Sequence, residues 1–455
     1  MKRKVLVIAY NFPPLGGGGV QRTLKFSRYL PLFGWEPIIL TVSKPDSLLW
    51  DYSLVKELPA DLRIFRAPAF ELSKWEKRFF SLFKPAANSR AEKKGSGPHL
   101  PQEAKAHLPN LRALLKRIYM FLTLWLRVPD DQVGWAPFAI LKGLSLIKSK
   151  KIDLIYTTSP PHSSQLIGLF LSKLSGKPWV ADFRDDWLED EQRISHYPGF
   201  YLRMERCLGK KLITNISCLI ANTEFKKETY DKNYPQAKRI VVIQNGFDAE
   251  DLMRARQKQD KWLDDKLHLC HTGYFYPGIA LSFFETLKEF FLENPELRGK
   301  IQLDLVGYLE EEYRDSIIKN QLEDVVKLWG YVEHLSSINF LLKSHLLLHL
   351  IGSEGEFWKG VVAGKLYEYL ASGKPILSFA PKDGESEKMI LQANSGWVLD
   401  LNDKKGIKLK LKQICELFFR GELKVEQNRS YVGGFERKNL TRKLSLVFEN
   451  CLTQK

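Results

Sequence analysis

Short unbroken apolar blocks recur along the chain, and most are followed by a turn signal and then by apolar residues returning every three or four positions. That change of period reads as strand followed by helix. Val5–Ala9 opens the series, with a helix from about Val20 to Phe33 that Gly34 stops. Glu36–Thr41 and Leu62–Ala67 follow as strands. Lys151–Thr157 is the next clear one, with a helix from His162 to about Leu174 behind it. Trp179–Asp182, Cys218–Ala221 and Ile240–Ile243 continue to a hinge-like turn, Gln244-Asn-Gly-Phe-Asp248. The rhythm resumes at Leu267–His271, Ile301–Val306, Val326–Trp329, Leu346–Leu350, Pro375–Phe379 and Trp397–Leu399, with helices between them.

Strands alternating with helices predict parallel sheets. The chain is therefore expected to be α/β, with two domains, 1–248 and 249–432, facing each other across a cleft. The closing segment 433–455 holds an amphipathic helix, Phe435 to Cys451, with Leu440, Leu444, Val447 and Phe448 on one face. On pattern alone it packs on either domain. Residues 70–127 break the rhythm. Their middle, Pro85 to Pro109, is loop-like. Leu111 to Arg127 then carries an apolar stripe beside Arg112, Lys116 and Arg117, which suits a membrane surface or a core-covering helix.

Composition narrows the setting. Hydrophobic content of 44% over 455 residues allows two sizeable cores. The five cysteines are scattered, odd in number and lack a C-x-x-C, which points to reduced thiols in a cytoplasmic setting and away from zinc or a disulfide framework. Met1-Lys-Arg-Lys leads into an apolar run too short for a signal peptide, and no window is long and apolar enough to span a bilayer. With 69 basic against 53 acidic residues the net charge is +16, which favours anionic partners. No zinc finger or RNP-like motif supports nucleic acid as that partner.

Four segments carry candidate chemistry. Gly16, Gly17, Gly18 and Gly19 join the first strand to the first helix, where bare backbone and a helix N-terminus admit an anion or a close substrate. The spacing is neither a phosphate-binding G-x-x-x-x-G-K-S/T nor a dinucleotide G-x-G-x-x-G. Thr157-Thr-Ser-Pro-Pro-His162 opens another helix, which Ser159 is placed to cap. His162 sits on its first turn, where the helix dipole favours neutral imidazole, a group that can donate to or accept from a sugar hydroxyl; a solvated first-turn histidine is the plain alternative. Asp182-Phe-Arg-Asp-Asp-Trp187 offers Asp185 or Asp182 to orient a hydroxyl, and Arg184 to clamp a phosphate or the carboxylates. With Asp186, Glu189 and Asp190 this cluster is alternatively a Mg²⁺ site, a lower-ranked reading. Finally, the stretch Lys359 to Leu377 predicts a helix from about Gly364 to Ser372 stopped by Gly373. Lys365 and Glu368 share one face near its start, a cation for a phosphate and a carboxylate for a sugar diol. A plain surface ion pair is the bland alternative.

That last stretch, in the form K-L-Y-E-Y-L-A-S-G-K-P-I-L, resembles the second half of the E-x7-E region of family-four retaining glycosyltransferases of the GT-B fold, as found in bacterial surface-polysaccharide enzymes. Asp182–Trp187 resembles the D-F-R-D-x-W stretch of the same subgroup, and Gly273 its glycine turn after the second domain's first strand. The likeness covers nearly the whole chain outside about 70–110. It implies two Rossmann-like domains, an acceptor-binding one first and a donor-binding one second, with the terminal helix crossing back to the first. Glu368 matches the glutamate that holds the donor ribose. The first glutamate of the motif falls on Gly360, with Glu354 and Glu356 nearby as substitutes. Relatives often carry arginine where Ile279 stands, which shifts the diphosphate charge onto Lys365 and Lys359. Gly307 and Gly330 end later strands and could admit the base. The expected reaction moves a sugar from a UDP- or GDP-linked donor to a lipid-linked or cell-surface saccharide. It proceeds with retention, without a cofactor or essential metal, at the inner face of the plasma membrane. A degenerate scaffold that binds the donor without turnover is the main rival. A nucleic-acid-binding protein is the other, and it leaves the glycine loop unexplained.

Overall fold

The computed structural model describes residues 2–45, 50–70, 127–187, 197–257, 260–275, 281–352 and 355–453. Within them the strands are β1 Arg3–Ile8, β2 Trp35–Val42, β3 Arg63–Ala67, β4 Leu154–Ser159, β5 Trp179–Phe183, β6 Cys218–Ala221 and β7 Ile240–Val242, then β8 Leu267–Thr272, β9 Ile301–Val306, β10 Val326–Gly330, β11 Leu346–Leu350, β12 Ile376–Phe379 and β13 Gly396–Leu399. The first seven form one sheet in the order β3-β2-β1-β4-β5-β6-β7, and the last six another, β10-β9-β8-β11-β12-β13. Every pairing between neighbouring strands is parallel. Parallel sheets are covered on both faces, so their strands read as continuous apolar runs rather than alternating ones. Separate cores accordingly fill the two sides of each sheet.

Both sheets repeat one winding. Three strands are laid outward, and the chain then returns to the far side of the first, between β1 and β4 and again between β8 and β11. At such switch points the loops leaving the strands diverge and open a crevice at the carboxyl ends. The helices that bear on these crevices are α1 Gly18–Tyr29, α2 Ala136–Lys150, α3 Ser163–Ser175, α4 Gly199–Ile213, α5 Glu224–Asn233, α6 Ala249–Gln257, α7 His334–Lys343, α8 Gly364–Ser372 and α9 Arg437–Thr453.

Some boundaries differ from the sequence expectation for identifiable reasons. Helix α1 begins two residues early, at Gly18, because Gly17 adopts a positive φ of 95° and lets the turn tighten. Strand β4 starts later than Lys151. That residue is the left-handed C-cap (φ 55°) of α2, a helix the apolar pattern did not disclose.

The terminal helix α9 packs on the first sheet. Leu440, Leu444, Val447 and Phe448 join the core of Val5, Phe12 and Trp35, and the Phe448 ring lies edge-on to Trp35 at 5.1 Å. The two crossings between the sheets are zipped together where Phe247 N–H donates to Phe435 O (3.2 Å) and Arg437 N–H to Phe247 O (2.8 Å). Beside them the buried Lys25 ammonium lies 2.7 Å from both Glu57 and Asp248 and 2.6 Å from Asp251, while the Tyr29 hydroxyl donates to Asp248 at 2.9 Å. One helix of the first domain is thereby tied to the start of the second by charge.

Candidate functional site

The glycine loop leaves β1 and enters α1 with a different constraint at each position. A Cβ on Gly19 would lie 2.7 Å from the Arg184 guanidinium, while one on Gly18 would meet nothing within 4 Å. The loop is therefore pinned on one side and open on the other. Arg184 does the pinning. It is buried, and its guanidinium donates to the carbonyls of Ser159 (3.0 Å), Pro160 (2.6 Å) and Gly19. Its donors face these carbonyls, so Arg184 fastens the glycine loop to the end of β4, while burial opposes its charge and the Asp185 and Asp182 charges lie near enough to favour it.

Asp182 and Asp185, three residues apart, have opposite environments. Asp182 has 0% exposure. Both its oxygens accept from the buried Arg22, Nε at 2.8 Å and Nη2 at 3.0 Å, and the Tyr156 hydroxyl donates to it at 2.5 Å. It is a strut. Asp185 is exposed at the carboxyl end of β5. The alternative Mg²⁺ reading loses Asp186, which accepts from the Tyr230 hydroxyl (3.0 Å) and pairs with Lys226 (3.3 Å). Glu189 and Asp190 lie outside the described residues. Among those described, no three His, Cys, Asp or Glu side chains are arranged to hold a metal.

His162 occupies the cap position of α3, which begins at Ser163. Its ring stacks on Trp187 (5.3 Å, 14°) and Phe183 (6.5 Å). Ser159 does not cap this helix. Asp130 does, accepting from Ser163 N–H at 2.8 Å and from the Ser163 hydroxyl, and burial raises its carboxyl above the usual range. This N-terminus already has its carboxyl cap.

On the second sheet three glycines lie side by side at the carboxyl ends of β8, β9 and β10. Gly273 N–H donates to Val306 O and Gly307 N–H to Gly330 O, both at 2.8 Å. All three have positive φ. A Cβ on Gly307 would be 2.3 Å from Gly273 O, so only glycine admits so close an approach. Next to them α8 starts with no side chain capping its free N–H groups, a setting that favours an anion.

Lys365 and Glu368 do not pair with each other. Lys365 turns to β8, donating to His271 Nε2 (2.7 Å) and Tyr274 O (3.2 Å). The His271 Nδ1–H donates to Leu348 O at 2.9 Å, which fixes the tautomer and leaves Nε2 as acceptor. Burial, then the Lys365 charge, holds this imidazole well below its usual range. Lys365 keeps part of its surface open to the cleft, yet the protein around it is dense enough that burial pushes its amine down to about 7. His349 is a second buried neutral ring, pushed to about 3 by burial and Lys365, with Nδ1 2.8 Å from Ser378 Oγ. Glu368 faces the other way, 3.7 Å from His334 Nε2, which is itself 3.6 Å from Asp251. Burial opposes charge on His334, but Glu368 and Asp251 outweigh it and raise the ring above its ordinary value.

Lys359 lies apart, its exposed ammonium paired with Glu356 at 2.7 Å. Glu356 is exposed in that pair; Glu354 and Ile279 lie outside the described residues. A Cβ on Gly360 would sit 2.6 Å from the Phe225 ring of the first domain, and the Thr223 hydroxyl donates to Gly360 O at 3.3 Å. No larger residue fits there while the domains meet in this way. The sequence reading assigned no role to Arg22, Asp130, His271 or His334, which hold the others. His271 carried the one usable signal, a polar residue near the end of an apolar strand.

Residues 97–251, about a third of the chain, match Glycosyltransferase Family 4. No curated protein matches the sequence. Among solved structures the chain is similar to sucrose-phosphate synthase from Thermosynechococcus elongatus (TM-score 0.63, 14% identity, 100% of both chains covered). It is also similar to HepE from Anabaena, solved with UDP-glucose (TM-score 0.60, 14% identity, 98% of this chain and 99% of that one). A third likeness is to WaaG, a glycosyltransferase involved in lipopolysaccharide biosynthesis (TM-score 0.57, 14% identity, 97% and 99%). At such identities the likeness establishes the fold, which is GT-B.

Proposed function

We propose that this chain is a glycosyltransferase that moves a sugar from a UDP- or GDP-linked donor to a hydroxyl of a lipid-linked or cell-surface saccharide, with retention and without an essential metal. The observation that carries the reading is Lys365. It is an amine held by a neutral imidazole, at an uncapped helix start, on the switch point of the second sheet, and an anion beside it favours its ammonium form. A departing diphosphate accumulates charge, and a fixed cation with free N–H groups stabilises that charge more than it stabilises the intact donor. Glu368 is one helical turn away to hold the ribose. The glycine loop and the exposed Asp185 lie on the acceptor side, where Asp185 would orient the attacking hydroxyl. The match to Glycosyltransferase Family 4 over residues 97–251 supports the same reading for the first domain.

The test is to incubate the protein with UDP-glucose, UDP-N-acetylglucosamine and GDP-mannose, labelled in the sugar, together with bacterial lipid extract. Free nucleotide and chromatographically shifted label are then measured together. One donor should be consumed with its label recovered in a glycolipid or glycan. Donor binding without turnover would establish the degenerate scaffold that Gly360 motivates, and an epimerised donor would put the chain in another reaction class.

Arg112, Lys116 and Arg117 lie outside the described residues, but helices α2, α3 and α4 present a second surface that suits a membrane. They cover the same face of the first sheet and hold a single acid, Glu205, which is buried and accepts from Trp187 Nε1. Their exposed positions include Lys142, Lys148, Lys173, Arg203, Arg206, Lys210 and Lys211, interspersed with exposed Phe138, Leu141, Phe170 and Leu174. Cations and apolar rings without competing carboxylates suit anionic lipid. Changing Arg203, Arg206, Lys210 and Lys211 to Gln should weaken sedimentation with phosphatidylglycerol vesicles by about a thousandfold, at about 1 kcal/mol for each charge near the surface. Undiminished sedimentation would remove this face from the interaction.

A further inference from the structure

The rim of the glycine loop holds a group of exposed aromatic residues that diphosphate chemistry does not call for. Trp50 forms an isolated antiparallel bridge with Leu15, and Asp51 N–H donates to Pro14 O at 2.9 Å, so the segment 50–52 lies directly along the loop. The Trp50 and Tyr52 rings are close to parallel, 16° apart with centroids at 6.2 Å, and are 42% and 68% exposed. From the second domain Tyr331, 53% exposed, reaches across the cleft. Its hydroxyl would be 3.4 Å from a Cβ built on Gly16, and the Asp51 Cβ would be 3.2 Å from the same point. Three large rings from two domains thus surround one short stretch of bare backbone.

Exposed rings of this size in one place, rimmed by polar groups, mark a binding surface more often than an accident of folding. The chemistry around them selects the ligand. Burial first, and then the Asp51 and Glu333 carboxylates, bias the Tyr331 phenol toward its neutral form, and with carboxylates on both sides of that ring this part of the rim suits an uncharged ligand better than a phosphate or uronate. Two offset, nearly parallel rings make a flat apolar shelf. The open backbone at Gly18, with the unsatisfied N–H groups of the α1 start, supplies donors beside it. A pyranose has a flat C–H face and a rim of hydroxyls, and it matches this combination. An extended apolar peptide would leave the polar groups unmet.

We infer that Trp50, Tyr52 and Tyr331 form a platform for a neutral sugar unit of the acceptor, bound along the glycine loop and closed over by the second domain. The inference rests on the glycosyltransferase reading and names a subsite within it. Because the platform takes Tyr331 from the second domain, acceptor binding favours the arrangement in which the domains meet.

The experiment uses the full chain on an array of neutral and uronate-containing oligosaccharides, with UDP and GDP titrated in parallel by calorimetry. Wild type, Trp50→Ala, Tyr52→Ala and Trp50→Phe are compared. Wild type should retain a neutral oligosaccharide. Each alanine substitution should weaken it about tenfold, Trp50→Phe should keep most of it, and the preferred nucleotide should bind all four proteins alike. If the alanine proteins misfold, Trp50→Phe and a Tyr331→Phe protein, which loses only the hydroxyl, still report. Oligosaccharide binding that survives the substitutions overturns the platform. So does an equal loss of nucleotide binding, which would assign the rings to the donor base. A wild type that binds nucleotide but no neutral oligosaccharide also overturns it while leaving the donor site standing. A wild type that binds neither removes the glycosyltransferase reading, and the platform with it.

Discussion

Replacing Lys365 with Met should weaken nucleoside-diphosphate binding by roughly tenfold to a hundredfold, the range expected for one charge-assisted hydrogen bond. It should also abolish a proton uptake that accompanies binding in the wild type. The second effect follows from the amine's position. Burial lowers Lys365 to about 7, so above that pH the empty cleft holds mostly the neutral amine. A diphosphate beside it favours the charged form and raises its pKa. Binding therefore draws in a proton, and affinity falls as pH rises above the free value, by up to about tenfold per unit. Below about 7 the ammonium is already formed and the dependence disappears. The His271 contact keeps this sign simple, because its Nδ1–H is committed to Leu348 O and its ring is held neutral. Calorimetry between about pH 7.5 and 9, where the nucleotide itself no longer titrates, in two buffers of different ionisation enthalpy, measures the uptake directly. A wild type that binds with no proton uptake would place the diphosphate away from Lys365. Turnover should fall further than affinity, by about 10²–10³, because the charge on the leaving group grows in the transition state.

What the sequence disclosed, and what it hid, divides along a physical line. Both sheets were visible because a parallel strand buried on both faces must be apolar throughout, as at Leu346–Leu350, and because such strands must alternate with helices. The glycine turns were visible because the positive φ at Gly273 and the close approach at Gly307 exclude other residues. Partners set by the winding of the chain were not. Asp130 caps a helix 33 residues away, Arg22 meets Asp182 across 160 residues, and His271 meets Lys365 across 94. No local period encodes these contacts. Lys365 and Glu368 show the limit most plainly. Helical spacing predicts a common face, but each side chain turns to a partner on a different neighbouring element. The ion pair that spacing suggested never forms. Arg184 misleads for a related reason. Guanidinium beside carboxylates reads as a clamp, whereas the fold aims it at three carbonyls.

The two aspartates of Asp182–Trp187 turn that distinction into the second large prediction. Asp182→Asn and Asp185→Asn make the same chemical change three residues apart, and their consequences should separate almost completely. At 182 the lost charge strands Arg22, which is 2% exposed and whose other contacts among the described residues are uncharged: the carbonyls of Ile243 (2.9 Å) and Gln244 (2.5 Å), an Asn245 side-chain oxygen at 3.4 Å and the Phe26 ring at 4.8 Å. Breaking one side of a buried pair leaves the other charge uncompensated and should cost about 3–5 kcal/mol of folding stability. At 185 the carboxylate is exposed, so the change should alter stability by no more than about 0.5 kcal/mol. If Asp185 orients the acceptor hydroxyl, the same change should lower sugar transfer by about 10²–10⁴ with donor binding intact. Denaturant midpoints and transfer rates for both proteins decide the matter. A stable Asp182→Asn protein that loses only turnover, paired with a fully active Asp185→Asn, would invert the assignment and make the buried strut the reacting group. Burial argues against that inversion. A hydroxyl of an incoming sugar cannot reach a carboxylate whose oxygens already accept from Arg22 and Tyr156 unless that network first opens. The strut instead fixes the strand end from which Asp185 is presented, so a partly destabilised Asp182→Asn protein should lose activity in parallel with its folded fraction and no faster.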